Sequence, residues 1–352
     1  MEKLIHGGDI YTKRDIEGDR LIDFSANINP LKMPQSVRDA IVYNIYSYIN
    51  YPDPLCRELR EAIGKFENAD ENHIVCGNGA ADIIFRIVLG VKPKNALILA
   101  PTFAEYEEAL KLTDCKINYY DLEERNNFSI GKDILNRISK DLDIMFLCNP
   151  NNPTGIPINY KVMLKIANKC KENKVILVVD ECFIDFLEEE ENISIAKYIK
   201  DYQNLIILKA FTKMYAMAGI RLGYMLCSNE EINEKISKVG QPWSVSTVAS
   251  KCGVAALKEK DFVLKTKKYI SKNREYLMKE LNSLGFKVFN SKTNYILFKS
   301  KDSNIKNKLE KKGILIRSCS NYRNLSEEYF RIAVKSEEDN KILIESIKDI
   351  MR

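Results

Sequence analysis

The chain has 352 residues, 45% of them hydrophobic and 29% charged, a composition that buries a core and excludes a disordered chain. At about 150 residues per domain, the length points to two domains, or to one large domain with a smaller partner. The 54 Lys and Arg against 49 Asp and Glu leave a net charge of +5, dispersed along the sequence and too weak to argue for a nucleic-acid partner.

The first eight residues, Met1 to Gly8, contain no apolar run, so no secretion signal is expected. Apolar stretches such as 175–179 fall far short of a membrane span, so no membrane partner is expected either. From about residue 72 to 227, short β-branched runs at 73–76, 96–100, 117–120, 144–148, 175–179 and 205–208 alternate with helical patterns near 81–89, 105–112, 133–138 and 160–173. Apolar strands separated by helices predict a doubly wound, mostly parallel sheet covered on both faces. After Gln241-Pro242-Trp243 the texture changes to a long Lys-rich amphipathic stretch at 247–284, read as a solvated helix face. Short strands follow at 287–289, 295–298, 314–316 and 329–334. A last helix is capped by Ser336 and buries Leu343, Ile347 and Ile350 at helical spacing. The pattern predicts an arm over 1–35, a large α/β domain over 36–245 and a smaller α+β domain over 246–352.

The nine cysteines form no Cys-x-x-Cys pair and read as small buried hydrophobes in a reducing, cytoplasmic compartment. With only His6 and His73 beside them, no metal site is expected.

Four segments carry candidate chemistry because each ends a predicted strand, the edge at which open parallel sheets bind ligands. Cys76-Gly77-Asn78-Gly79-Ala80-Ala81 is a strand, a glycine turn and a helix start, whose free amides suit a phosphate. Asn149-Pro150-Asn151-Asn152-Pro153-Thr154-Gly155 is a rigid turn in which Asn152 offers both a donor and an acceptor. Asp180 closes a buried apolar run, where a carboxylate needs a cationic or N–H partner. Lys213 lies among apolar and small residues, which lowers an amine's pKa and makes it nucleophilic, and Arg221 eight positions on is a fixed cation suited to phosphate. Taken singly, each has a plain structural reading: a common turn, a loop, a salt bridge, a surface lysine.

In this order and at these strand ends, the four segments resemble the fold-type-I pyridoxal-phosphate enzymes of the aminotransferase class I/II family over essentially the whole chain. The resemblance implies a seven-stranded, mostly parallel sheet in the large domain, pyridoxal 5'-phosphate as cofactor, and a homodimer with active sites at the subunit interface. It implies that Lys213 links covalently to the cofactor aldehyde, that Asp180 pairs with the pyridinium nitrogen, and that Asn152 bonds the ring 3-oxygen. Thr212, Arg221 and the Ala80 and Ala81 amides would hold the phosphate, and Tyr106 would stack on the ring. Tyr51 would reach the neighbouring subunit's phosphate, and Arg331 would bind a substrate carboxylate.

Two branches are similar: the histidinol-phosphate aminotransferases and the threonine-phosphate decarboxylases of cobalamin biosynthesis. Features resembling the decarboxylases are His6-Gly7-Gly8-Asp9-Ile10, the segment from Asp23 to Leu31, Pro242-Trp243-Ser244-Val245, the segment from Ile316 to Tyr322, and Phe183 where aminotransferases usually carry a Tyr. That resemblance implies decarboxylation of a phosphorylated amino acid, with His6, Gly7, Asn27, Asn152, Arg317 and Arg331 as substrate contacts. Amino-group transfer with 2-oxoglutarate is the alternative. A non-catalytic regulator on this fold is opposed by the presence of Lys213, Asp180 and Arg221. Lys209 and Ala210 depart from the family's usual Arg and Ser or Thr, which removes one phosphate hydroxyl.

Overall fold

The computed structural model describes residues 7–11, 21–188 and 194–352. The chain enters through β1 (Ile22–Asp23) and helices α1 (Gln35–Tyr43) and α2 (Arg57–Glu67). The alternating section then runs β2 (Ile74–Gly77), α3 (Ala80–Val91), β3 (Asn95–Ala100), α4 (Glu105–Lys111), β4 (Lys116–Asp121), β5 (Ile144–Cys148), α5 (Tyr160–Asn173), β6 (Ile176–Asp180), β7 (Leu205–Ala210), β8 (Gly223–Leu226) and α6 (Glu230–Lys238).

The seven strands β2 to β8 form one sheet in the order β2-β8-β7-β6-β5-β3-β4, parallel except for β8, which runs antiparallel to both β7 and β2. Strands β5 and β7 are buried almost throughout because helices and loops cover both faces, hence their unbroken apolar runs. Strand β8 has no counterpart among the predicted strands. Its Gly-Tyr-Met-Leu sequence is short, and only pairing with β2 and β7 makes it a strand. The 133–138 segment is a 3₁₀ turn over Lys132–Arg137, not an α-helix.

The predicted long helix of the C-terminal part is two, α7 (Thr247–Ala256) and α8 (Lys260–Ser283), broken at 257–259. Next come β9 (Lys287–Val288), β10 (Tyr295–Lys299), α9 (Ile305–Glu310), β11 (Ile314–Leu315), β12 (Arg317–Ser318), β13 (Tyr329–Ala333) and α10 (Glu337–Met351). Strands β12-β13-β10-β9 make an antiparallel sheet. Ser336 caps α10 by accepting from the Asp339 amide, and Leu343 and Ile347 are buried, as the spacing predicts.

One pairing brings the two ends of the chain together. β1 lies parallel to β11, with Ile22 opposite Ile314, and Phe24 takes a bond from the Ala333 amide. Residues 22–27 are thereby set against the small sheet, across from the C-terminal ends of β5, β6 and β7. Among the described residues no helix is long and apolar enough to cross a membrane, and no His, Cys, Asp and Glu cluster could hold a metal ion.

Candidate active site

A cavity of about 470 Å³ opens between the strand ends of the large sheet and the 22–27 segment with β12 and β13. Of the expected site residues, the structure brings Gly7, Asn27, Ala80, Ala81, Asn152, Asp180, Thr212, Lys213, Arg221, Arg317 and Arg331 to this one cavity.

At one end, α3 begins at Ala80 after Gly79, whose φ is +84°. A Cβ on Gly79 would sit 2.8 Å from Arg221 Nη2, so the guanidinium packs directly over the helix start. A cation against the positive end of a helix dipole is unfavourable unless an anion is held between them. Thr212 lies buried beside them, and Ala210 presents only a methyl group. This end therefore fits a phosphate with three kinds of donor: helix amides, a guanidinium and one hydroxyl.

Deeper in, Asp180 at the end of β6 is buried, accepting from Tyr106 Oη at 2.6 Å and from the Cys182 amide at 3.0 Å. Tyr106 does not stack on a ligand ring. It is fully buried behind Asp180 against Phe146, and burial together with the Asp180 charge drives its pKa well up, so it stays a neutral donor. The aromatic on the cavity wall is Phe103, three residues earlier. Helical spacing from 105 onward turns Tyr106 into the core, whereas Phe103 precedes α4 and is free to face the ligand. Cys148 and Cys182 also line the wall beside Asp180, and burial first, then the Asp180 charge, pushes both thiols up and leaves them protonated.

Asn152 is held by its turn, in which Asn149 Oδ1 accepts from the Ile158 amide and the Asn151 side chain bridges Thr102 and Pro101. Its Oδ1 accepts from Arg331 Nη1 at 2.5 Å, so the group it has for a ligand is its amide N–H₂.

Lys213 projects from the loop after β7. Burial first, then the Arg331 charge, lower its pKa to about 8, with Arg221 adding to the fall and Asp180 opposing it. The loop is pinned from the N-terminal side, because the Asn29 amide bonds the Lys213 carbonyl and Asn29 Nδ2 bonds that of Met214 at 2.6 Å. Lys209, on β7 itself and facing away, lies 3.5 Å from Glu67 and 3.7 Å from Glu181. Burial lowers its affinity for a proton, but Glu67, Asp185 and Glu181 more than restore it. This lysine is structural and takes no part in the cavity.

On the opposite rim Arg331 is buried, with Nη2 on the Ser25 carbonyl at 2.9 Å. Arg317 bonds Asn321 Oδ1 at 2.8 Å and lies over the Tyr322 ring. Among the described residues Asn27 Oδ1 and Arg331 Nε are both buried without a hydrogen-bond partner. Unsatisfied buried polar atoms of this kind are uncommon in native proteins, and these two face a cavity. Together with the Arg221 guanidinium at the helix start, they fit a ligand with at least two anionic groups and a polar ring.

Among the described residues, Tyr106 and Tyr51 do not line the cavity, and His6 lies outside the described residues. Tyr51 is 80% exposed, stacks on Trp243 with ring centroids 4.8 Å apart, and is absent from this chain's cavity wall. Phe103, Ser25, Tyr322, Cys148 and Cys182 line the wall without having been expected there, because nothing in their spacing tells wall from core.

The family model for aminotransferase class I and II matches residues 19–347. The chain is 34% identical to a threonine-phosphate decarboxylase of Salmonella typhimurium, over 98% of this chain and 96% of that protein. Among solved structures it is similar to the histidinol-phosphate aminotransferase from Clostridium acetobutylicum, with a TM-score of 0.88 and 32% identity over 94% of this chain and 99% of the other. It is also similar to L-threonine-O-3-phosphate decarboxylase from Porphyromonas gingivalis, with a TM-score of 0.83 and 26% identity over 94% of this chain and 99% of the other.

Proposed function

Because the chain belongs to the aminotransferase class I and II family, we propose that it is a pyridoxal 5'-phosphate enzyme. In this reading it decarboxylates L-threonine O-3-phosphate to (R)-1-aminopropan-2-yl phosphate, which enters the cobalamin side chain. The observation that carries the reading is that two guanidinium groups, Arg317 and Arg331, face the same cavity as Lys213. They supply bidentate donors for two separate anions of one small substrate, a carboxylate and a phosphate.

When bound, pyridoxal phosphate supplies an electron sink for the pair left at the substrate Cα. The Ala80 and Ala81 amides, Thr212 and Arg221 would hold its phosphate, Asp180 would pair with the ring nitrogen, Asn152 would donate to the ring oxygen, and Phe103 would lie against the ring. Tyr106 donates to Asp180 from behind and so keeps that carboxylate in place.

The arginines then choose the bond that breaks. Gripping both anions would fix rotation about the substrate's N–Cα axis, and remote binding energy of this kind can impose the reacting geometry. In the orientation that favours loss of the carboxylate, carbon dioxide would leave and its electron pair would stay behind at Cα. A proton from Lys213 Nζ then replaces it at Cα. An amine whose pKa is about 8 can serve as acid or base near neutral pH.

The alternative is histidinol-phosphate amino-group transfer with 2-oxoglutarate, favoured by the likeness to the C. acetobutylicum structure. Incubating the purified protein and cofactor with each substrate separates the two. Carbon dioxide and aminopropanol phosphate from threonine phosphate are the expected products. Conversion of the cofactor to its amine form by glutamate, with no carbon dioxide, rejects the reading.

The same proposal includes a homodimer in which Tyr51 reaches the neighbouring subunit's phosphate. Its support is a run of exposed apolar side chains, with Tyr46 and Ile49 both 88% exposed beside Tyr51. It also keeps the arm, large and small domains at 1–35, 36–245 and 246–352.

A further inference from the structure

We infer that Ser25 is a positioning residue which couples the substrate-binding arginine to a glycine strap at the mouth of the cavity, through a hydroxyl clasp anchored on Asp23. The inference rests on the functional reading above and deepens it by assigning how one rim of the site is assembled.

Ser25 is buried, and every polar group it has is engaged. A serine hydroxyl has one proton to give and two lone pairs. The Ser25 proton goes to Asp23 Oδ1 at 2.6 Å, and the same carboxylate oxygen takes the Ser25 amide at 2.8 Å. Toward any other neighbour the hydroxyl therefore acts only as an acceptor, and it takes the Gly8 amide at 2.7 Å. Donation to a carboxylate polarises the hydroxyl and strengthens it as an acceptor. Asp23 thus acts on Gly8 through Ser25.

On the other side of the same residue, the Ser25 carbonyl holds Arg331 Nη2. Gly7 lies against that carbonyl so closely that a Cβ on it would fall 2.4 Å from the oxygen, so no other residue could take this seat without displacing the strap. Gly7, the Ser25 carbonyl and Arg331 are consequently stacked, and all three residues line the cavity. The platform beneath is stiff. Phe24 donates to Leu315 at 2.8 Å and accepts from Ala333 at 2.8 Å, which ties Ser25 to β11 and β13. The strap meets it through the Gly8 amide on the Ser25 hydroxyl. The clasp therefore ties the strap to the wall when substrate enters, while the main-chain contact to Arg331 survives loss of the hydroxyl.

Ser25→Ala and Asp23→Asn test this in the full-length protein with cofactor bound. Ser25→Ala should raise KM for threonine phosphate about tenfold, the effect of one lost hydrogen bond of ordinary strength. Its kcat should move less than about threefold, and the cofactor absorption band should be unchanged. Asp23→Asn should raise KM by a smaller factor, and the double variant should resemble Ser25→Ala alone, because Asp23 acts on Gly8 through the Ser25 hydroxyl. Amide exchange of a peptide spanning residues 7–11 should quicken in Ser25→Ala, while peptides from β10 and β13 keep their protection. Unchanged KM and unchanged exchange overturn the inference. So does a fall in kcat at constant KM, or multiplicative effects in the double variant. If the wild-type protein releases no carbon dioxide from threonine phosphate, the functional reading fails. The exchange comparison, which needs no turnover, still decides whether the clasp exists.

Discussion

The strand-end edge of the large sheet and the rim that faces it serve the same cavity but are built differently. The edge collects Asp180, the last residue of β6, with Asn152, Thr212, Lys213 and Arg221, which follow within eleven residues of the end of a parallel strand. Its groups sit where the strands leave them. The rim collects Gly7, Ser25, Asn27, Arg317 and Arg331 from opposite ends of the chain, held by the β1–β11 pairing and one buried guanidinium. In the proposed function the edge carries the cofactor and the proton, whereas the rim carries the substrate's anions. Damage to the edge should therefore be read in turnover and cofactor retention, and damage to the rim in substrate affinity.

The largest expected effect falls on the edge. Lys213→Met should lower turnover by more than about a thousandfold, since both the nucleophile and the proton donor are lost. Borohydride should no longer fix cofactor to the protein. The same variant makes a statement about stability without cofactor. The amine titrates at about 8 in the folded chain and at its ordinary 10.5 when unfolded. Between those values the unfolded chain binds the extra proton, so native stability rises with pH across that window. Below pH 8 both states are charged and the burial penalty is fully present. Lys213→Met removes it, so urea midpoints of the cofactor-free variant should exceed wild type at pH 7 and converge with it by pH 10.5.

Arg331→Lys sharpens the contrast from the rim. A lysine keeps the charge but cannot bond Ser25, Asn152 and a substrate anion at once, so KM should rise about a hundredfold with the cofactor band intact. A comparable loss of cofactor would erase the distinction between the two regions.

Gly79→Ala should give the smallest effect. It places a methyl group against Arg221 and forces a positive φ on a residue with a Cβ, a strain of about 1–3 kcal/mol. Cofactor affinity, followed by equilibrium dialysis, should weaken by about tenfold, while KM at saturating cofactor holds.

The edge was legible because its signals are local. An apolar run ended by Asp180, a glycine turn at 77–79 and a lysine among small residues identify themselves without knowledge of what lies opposite. Legibility failed where direction mattered. Tyr106 and Phe103 are three residues apart in one motif, and the start of α4 decides that the first supports Asp180 while the second faces the cavity. It failed again at β8, which is a strand only because β2 and β7 flank it.

The sequence by itself determined the alternation that makes the sheet, and it placed Asp180, Lys213 and Arg221 near strand ends, because strand and helix patterns are written in nearest neighbours. Only the tertiary structure decided that Ser25 meets both Gly8 and Arg331, and that Lys209 turns toward Glu67 while Lys213 turns toward the cavity. Such contacts join residues far apart along the chain, and their geometry is set by packing against surfaces that no local pattern describes.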